Sequence, residues 1–158
     1  NVKKIRKNEM FVTITSNNKV SYFNENMIKQ SKESTKGTKL LKIATAHYIL
    51  TTIVIEENDT HVIIITKDGF CKYAQLNVNK SIDNIIKNMN NIVVGKSICE
   101  KSIILLITTT GIIKKIDVDI KIKKRNIKSI KLINLEANDS LCTIKKIKQS
   151  KLLILVSI

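Results

Sequence analysis

Three stretches of this chain read as copies of one another, and that repetition constrains the fold more than any other feature. They are Val12-Thr13-Ile14-Thr15-Ser16-Asn17-Asn18-Lys19-Val20-Ser21-Tyr22, Ile63-Ile64-Ile65-Thr66-Lys67-Asp68-Gly69-Phe70-Cys71-Lys72-Tyr73 and Leu105-Leu106-Ile107-Thr108-Thr109-Thr110-Gly111-Ile112-Ile113-Lys114-Lys115. Each runs from an apolar stretch through Thr into a short turn and out into an apolar–basic stretch. The turn residues Asn18, Gly69 and Gly111 align, 51 and 42 residues apart. Asp68-Gly69 between apolar runs signals a hairpin, because the primed turns that match strand twist need positive φ. Gly takes positive φ freely and Asn tolerates it next best, so Asn17-Asn18 can replace Asp68-Gly69. Thr109-Thr110-Gly111 fits a hairpin with Gly at the left-handed position. A fourth copy starts at Leu152-Leu153-Ile154-Leu155-Val156-Ser157-Ile158.

Each repeat has a second half: a polar, basic connection, an apolar strand, a short turn and a further strand. The pattern predicts strands over Thr38 to Ile43 and Tyr48 to Ile55, over Ile85 to Lys87 and Ile92 to Gly95, and over Ile127 to Ile133 and Ser140 to Ile144. The segments are rich in β-branched residues, none has a convincing helical period, and each repeat holds about four strands. Four short strands recurring at this interval are the signature of a propeller-like all-β array. The blades would cover approximately 9–58, 59–101 and 102–150, with the start of another at 151–158, in one domain. The apolar strand opening each repeat would be buried on both faces between stacked blades. The alternation in Lys121-Ile122-Lys123 and Ile130-Lys131-Leu132 suits half-buried strands nearer the rim. Three blades fall below the usual four, which leaves a fragment, an incomplete ring or a curved array that dimerises.

The chain has 158 residues, 28 Lys+Arg against 13 Asp+Glu, and a formal net charge of +15. Only Arg6 and Arg125 are Arg. AT-rich codon usage accounts for Lys over Arg and for the abundant Asn and Ile, but not for the excess of bases over acids. A field of this sign attracts polyanions, with nucleic acid ahead of an anionic membrane because no segment reads as a basic amphipathic helix. An apolar content of 43% excludes a disordered polyelectrolyte. The apolar run Ile103 to Ile107 has five residues, far below the ~18 of a membrane span. No apolar region follows the basic Asn1 to Asn8, so no signal peptide is expected.

Chemistry-bearing patterns are few. Cys71, Cys99 and Cys142 are scattered through apolar stretches and read as reduced core thiols in a cytoplasmic-type compartment, not as metal ligands. Tyr22 and Tyr73 occupy the same repeat position, which argues for packing or a rim site over nucleophilic chemistry. His47 and His61 lack evident partners. Asp117 and Asp119 alternate on one strand among lysines and temper local charge. No phosphate-binding loop, nucleophile elbow or zinc-protease motif is present. The expectation is a non-catalytic module with no cofactor, metal, small-molecule substrate or membrane attachment.

The repeat Ile107-Thr108-Thr109-Thr110-Gly111-Ile112-Ile113-Lys114-Lys115, then Arg125 to Leu132, then Glu136 to Leu141, resembles the blade motif of the C-terminal domain of the bacterial DNA gyrase A subunit. The topoisomerase IV A subunit carries a related domain. The first repeat also matches, with Lys32-Glu33-Ser34-Thr35-Lys36-Gly37 where the family has a basic loop, and the likeness extends over residues 9 to 158. It implies a β-pinwheel whose basic rim wraps duplex DNA beside a catalytic core and an ATPase subunit, in the cytoplasm on the nucleoid. The stretch nearest the gyrase heptapeptide box, Gln30 to Gly37, is one residue longer, carries Glu33 and lacks a Gly-Gly pair, so both enzyme types stay open.

The DNA-binding candidates follow from charge and repeat position. The densest basic cluster is Lys121, Lys123, Lys124, Arg125 and Lys128. Lys29, Lys32 and Lys36 lie in the first connection and Lys80 in the second, and Lys67, Lys72, Lys114 and Lys115 flank hairpin turns. Lysine is a flexible point charge suited to phosphate contact, and scarce Arg and aromatics argue against base readout and single-strand stacking. The rival from another class is a propeller-like protein-interaction module whose charge is codon bias alone.

Overall fold

The computed structural model describes residues 5–76, 80–120 and 129–147. In chain order the strands are β1 (Met10–Thr15), β2 (Val20–Asn24), β3 (Ile49–Ile55), β4 (His61–Thr66) and β5 (Phe70–Gln75). A short helix α1 (Ser81–Ile86) follows, and then β6 (Ile92–Ile98), β7 (Lys101–Thr108), β8 (Ile113–Asp119), β9 (Ile130–Lys131) and β10 (Leu141–Ile147).

The aligned turn residues work as the sequence predicts: Asn18, Gly69 and Gly111 take φ of 58°, 82° and 93°. Their N–H groups donate to the carbonyls of Thr15, Thr66 and Thr108 at 2.9, 3.0 and 3.2 Å. The recurrent Thr has its own task. Its hydroxyl accepts the N–H of the residue just past the turn, Lys19, Phe70 or Ile112, at 3.2, 3.2 and 3.1 Å. All three are therefore three-residue loops with the left-handed residue last. The two-residue primed turn read from Asp68-Gly69 does not form, since it needs positive φ at both residues and Asp68 has none.

The third strand of each repeat, β3, β6 or β10, pairs with the other edge of β1, β4 or β7. A bulge recurs beside each aligned Thr, at Ile14/Thr15, Ile65/Thr66 and Leu141/Thr143. It leaves Cys142 outside the register and exposed, and Cys99 is half-buried, so of the three cysteines Cys71 alone is a core thiol.

The sheets run β2-β1-β3, β6-β4-β5-β9 and β10-β7-β8. The strand β9 belongs to the third repeat by sequence yet completes the sheet of the second, pairing Ile130 with Cys71 and Lys131 with Phe70. Two expected strands are absent. Thr38 to Ile43 joins no sheet among the described residues. Ile85 and Ile86 fall in α1, where Ile82 and Ile86 bury one helical face; that four-residue spacing overrides their β propensity.

The core lies between sheets. Val12, Ile14 and Ile53 of the first sheet pack with Val62, Ile64 and Ala74 of the second, joined by Ile82 and Ile86. Ile63, Ile65 and Cys71 pack with Ile104, Leu106 and Val118 of the third, joined by Leu132 and Ile133. The strand β4 is thus buried on both faces, as predicted for an opening strand. In β7 only alternate residues, Ser102 to Thr108, are buried; Ile103, Leu105 and Ile107 are half-exposed.

The strand β6 approaches β3 closely. Gly95 N–H donates to Thr51 Oγ1 at 3.3 Å and Ser97 Oγ to the Val54 carbonyl at 2.6 Å. A Cβ on Gly95 would clash with Ile53 Cδ1 and lie 3.0 Å from its Cγ1. Gly95→Ala is expected to cost about 2 kcal/mol by overpacking. A urea midpoint that stays at the parent value would contradict this.

Candidate nucleic-acid interface

The connections between second and third strands carry the described lysines outward. In the first, Lys29, Lys32 and Lys36 are all exposed. A turn closes there, with Thr35 N–H and Oγ1 both donating to the Lys32 carbonyl at 3.0 and 2.7 Å. Lys67 is exposed at the β4–β5 turn, and Lys114 and Lys115 are exposed on β8. Lys121, Lys123, Lys124, Arg125 and Lys128 lie outside the described residues.

Lys72 and Lys114 occupy the same position on β5 and β8 and do the same thing. Lys72 Nζ donates to the Asn88 carbonyl at 3.4 Å and Lys114 Nζ to the Leu132 carbonyl at 3.0 Å. Each ties its outer strand to the connection that follows it. A lysine has three donors, so each keeps two for another acceptor. The sequence marked both as basic without showing this tethering task.

Beside Lys80, which the sequence placed in the second connection, the structure adds Lys131 and Lys87, which sequence reasoning left out. On the outer edge of the second sheet, Lys131 of β9 sits with Nζ 5.6 Å from the centroid of the Phe70 ring. The helix α1 packs on β5 and brings Lys80 and Lys87, both exposed. Lys131 of the third repeat and Lys72 of the second thus lie on neighbouring strands of one sheet. Only knowledge of the exchanged strand could have placed Lys131 beside Phe70.

Tyr22 and Tyr73 are not activated groups. Tyr22 Oη donates to Asp83 Oδ2 at 2.8 Å, joining β2 to α1. Burial, then that bond and the Asp83 charge, push its phenol well above the usual value. Burial, then Cys71, push Tyr73 up as well. Both phenols stay protonated, the opposite of what a nucleophile needs. Asp119 faces Lys101 across the β7–β8 ladder, consistent with a charge-tempering role. His47 Nδ1 lies 3.4 Å from Ser16 Oγ, and His61 Nδ1 lies 2.8 Å from Thr60 Oγ1.

A polar cleft of about 600 Å³ opens where β3 and β6 end and β7 begins. Lys96, Lys101 and Lys146 face Glu56, Glu57 and Asp59 there, and Arg6 and Glu9 add one charge of each sign. Lys146 Nζ is 2.8 Å from Asp59 Oδ1 and 2.9 Å from Glu56 Oε2. With its charges matched, this cleft offers a polyanion little net attraction, unlike the lysine-rich outer edge. Among the described residues no group of three His, Cys, Asp or Glu side chains is placed to hold a metal ion. No helix among them is long and apolar enough to cross a membrane.

Stacked antiparallel sheets, with a strand passed from one repeat to its neighbour, make this chain a β-pinwheel. No protein-family model and no curated protein sequence matches it. Among solved structures it is similar to that of the DNA gyrase A C-terminal domain, with a TM-score of 0.69 over 90% of this chain and 15% sequence identity. The chain spans about half of that structure, 52% of its length. The likeness establishes the fold.

Proposed function

We propose that this chain is a non-catalytic module that binds and bends duplex DNA, serving a type IIA topoisomerase A subunit alongside that enzyme's catalytic core and ATPase subunit. The observation that carries the reading is the match of fold to the gyrase A C-terminal domain, in a chain whose net charge is +15. The exposed lysines of the connections and outer strands supply phosphate contacts without base readout, so affinity is set by counterion release and by how readily the duplex deforms. Lys29, Lys32, Lys36, Lys67, Lys72, Lys114, Lys115 and the 121–128 cluster are the proposed contacts, joined by Lys131, Lys80 and Lys87. The bent duplex would be presented to the core for strand passage, in a gyrase-type or topoisomerase IV-type enzyme.

A gel shift with a mixed-sequence linear duplex, titrated against salt, tests this. With about six phosphates neutralised, log K should fall against log salt with a slope of about −5, a loss of roughly a thousandfold between 50 and 200 mM. Removing the charges of Lys121, Lys123, Lys124 and Arg125 together should flatten the slope. Absence of duplex binding at low salt would sink the proposal in favour of a protein-interaction module.

A further inference from the structure

The two ends of the stack of sheets expose surfaces that its middle buries against each other. Ile49, Ile92 and Leu141 are equivalent, each opposite the aligned Thr of its repeat. Ile92 and Leu141 are 5% and 1% exposed, whereas Ile49 is 46% exposed. Leu141 is covered because its N–H reaches back to the Lys67 carbonyl, at 2.8 Å, in the turn of the preceding repeat. At the other end, Cys71 and Ile113 are equivalent on the outer strands. Cys71 is 0% exposed under β9 and Ile113 is 64% exposed on β8. The turn glycines tell the same story. A Cβ on Gly69 would lie 2.7 Å from Ile133 Cγ2, and one on Gly111 would meet nothing within 4 Å.

Among the described residues no strand pairs with the outer edge of β8, and a segment that would fill that edge is present at the other end of the same chain. Thr38-Lys39-Leu40-Leu41-Lys42-Ile43 corresponds to Ile130-Lys131-Leu132-Ile133-Asn134-Leu135, as the turns that follow show: His47 N–H to the Ala44 carbonyl, and Asp139 N–H to the Glu136 carbonyl. Leu132 and Ile133 are buried in the cluster joining second and third sheets. Leu40 and Leu41 pack only against the Phe11, Phe23 and Val54 cluster on their own side and remain half-buried. The sheets stack in the order first, second, third, so Thr38 to Ile43 and β8 of one chain lie at opposite ends.

We infer that β8 takes the segment Thr38 to Ile43 of a second copy of this chain, extending β10-β7-β8 into a four-stranded sheet as β9 extends β5. The register follows from β9: Ile113 opposite Thr38 of the second copy, Ile112 opposite Lys39, and Leu40 N–H donating to the Gly111 carbonyl. Leu41 would then cover Gly111 as Ile133 covers Gly69, and Ile103, Leu105 and Ile107 would gain an apolar cover. The contact is heterologous, and two of them related by a two-fold axis close a pair. The inference is independent of DNA binding, and the two respond to salt in opposite senses. Copies of charge +15 associate more tightly as salt rises, whereas duplex binding weakens.

The test mixes two single-site variants, Thr38→Cys and Ile113→Cys, each in a Cys99→Ser, Cys142→Ser background. Oxidation should yield a disulfide joining the peptides that contain positions 38 and 113, and sedimentation of the parent should give twice the 17.9 kDa chain mass. Ile113→Lys, at an exposed position, should leave the circular dichroism spectrum unchanged and weaken association at least tenfold. A parent that stays monomeric at about 100 μM, links only between like positions, or associates as well with Lys at position 113 overturns the inference.

Discussion

Gly69→Ala is expected to lower stability by about 3 kcal/mol, and Gly111→Ala in the same turn of the next repeat by only about 1 kcal/mol. Both glycines have positive φ, 82° and 93°, so both variants incur the left-handed penalty of a side chain. The difference lies in what stands above them. The methyl at position 69 would meet Ile133 Cγ2 at 2.7 Å and the Ile133 carbonyl oxygen at 3.0 Å. That carbonyl belongs to the chain running on from β9, and Leu132 N–H already donates to the Gly69 carbonyl at 2.9 Å. The backbone cannot retreat without losing the exchanged strand. Gly111 has open space around it, so its variant reports the φ term alone when measured on the dilute monomer. Chemical denaturation of the two variants side by side reads the cost of displacing β9. Equal losses would mean that the exchanged strand contributes nothing to the sheet it completes.

Lys146→Ala is expected to cost about 3 kcal/mol or more. Its ammonium reaches from β10 to Asp59 and Glu56 in the loop between first and second repeats, so it ties the third sheet to that junction. The Asp59 side chain is almost wholly buried, and truncation takes away the ammonium paired with its carboxylate. Replacing both partners, as in Lys146→Met with Asp59→Asn, should cost clearly less than the two single changes added together. Burial works to lower the Lys146 pKa, but the hydrogen bonds to Asp59 and Glu56, and then their charges, leave it above its usual 10.5. The sign follows: a raised pKa means a contribution fully present below about 10.5 and lost as pH rises through the higher folded value. The stability gap between parent and Lys146→Met should therefore be flat from neutral pH to about pH 10 and close above it. A gap that is absent at pH 7 would show that the pair contributes nothing.

The hairpins were legible in the sequence because their information is local. A turn that needs positive φ at its third residue accepts Gly or Asn, and the Thr three residues earlier marks where the strand ends. The opening strands were legible for the same reason, since a continuous Ile-rich run has few other places to go. What the sequence hid is non-local. The strand β9 carries an Ile-Lys alternation that says half-buried strand but not whose sheet it joins. Ile85 and Ile86 read as a strand because their helical partner Ile82 counts only once a docking surface exists. Of the candidate interface, charge and repeat position revealed the exposed lysines of the first connection and the turns. They did not reveal that Lys72 and Lys114 hold connections in place, or that Lys131 joins Lys72 in a sheet built by two repeats.

The exchanged strand has a consequence for how such a chain can be cut or lengthened. The segment that repeats in sequence is not the segment that folds, because the third repeat finishes the sheet of the second. A truncation between Glu100 and Lys101 would look clean in an alignment of repeats, yet it would uncover Cys71 and Phe70 in the part retained. Growth by duplication faces no such obstacle. A further copy of the third repeat would bring a strand to seal its predecessor and leave a fresh open edge behind, whereas removing the third repeat uncovers the second.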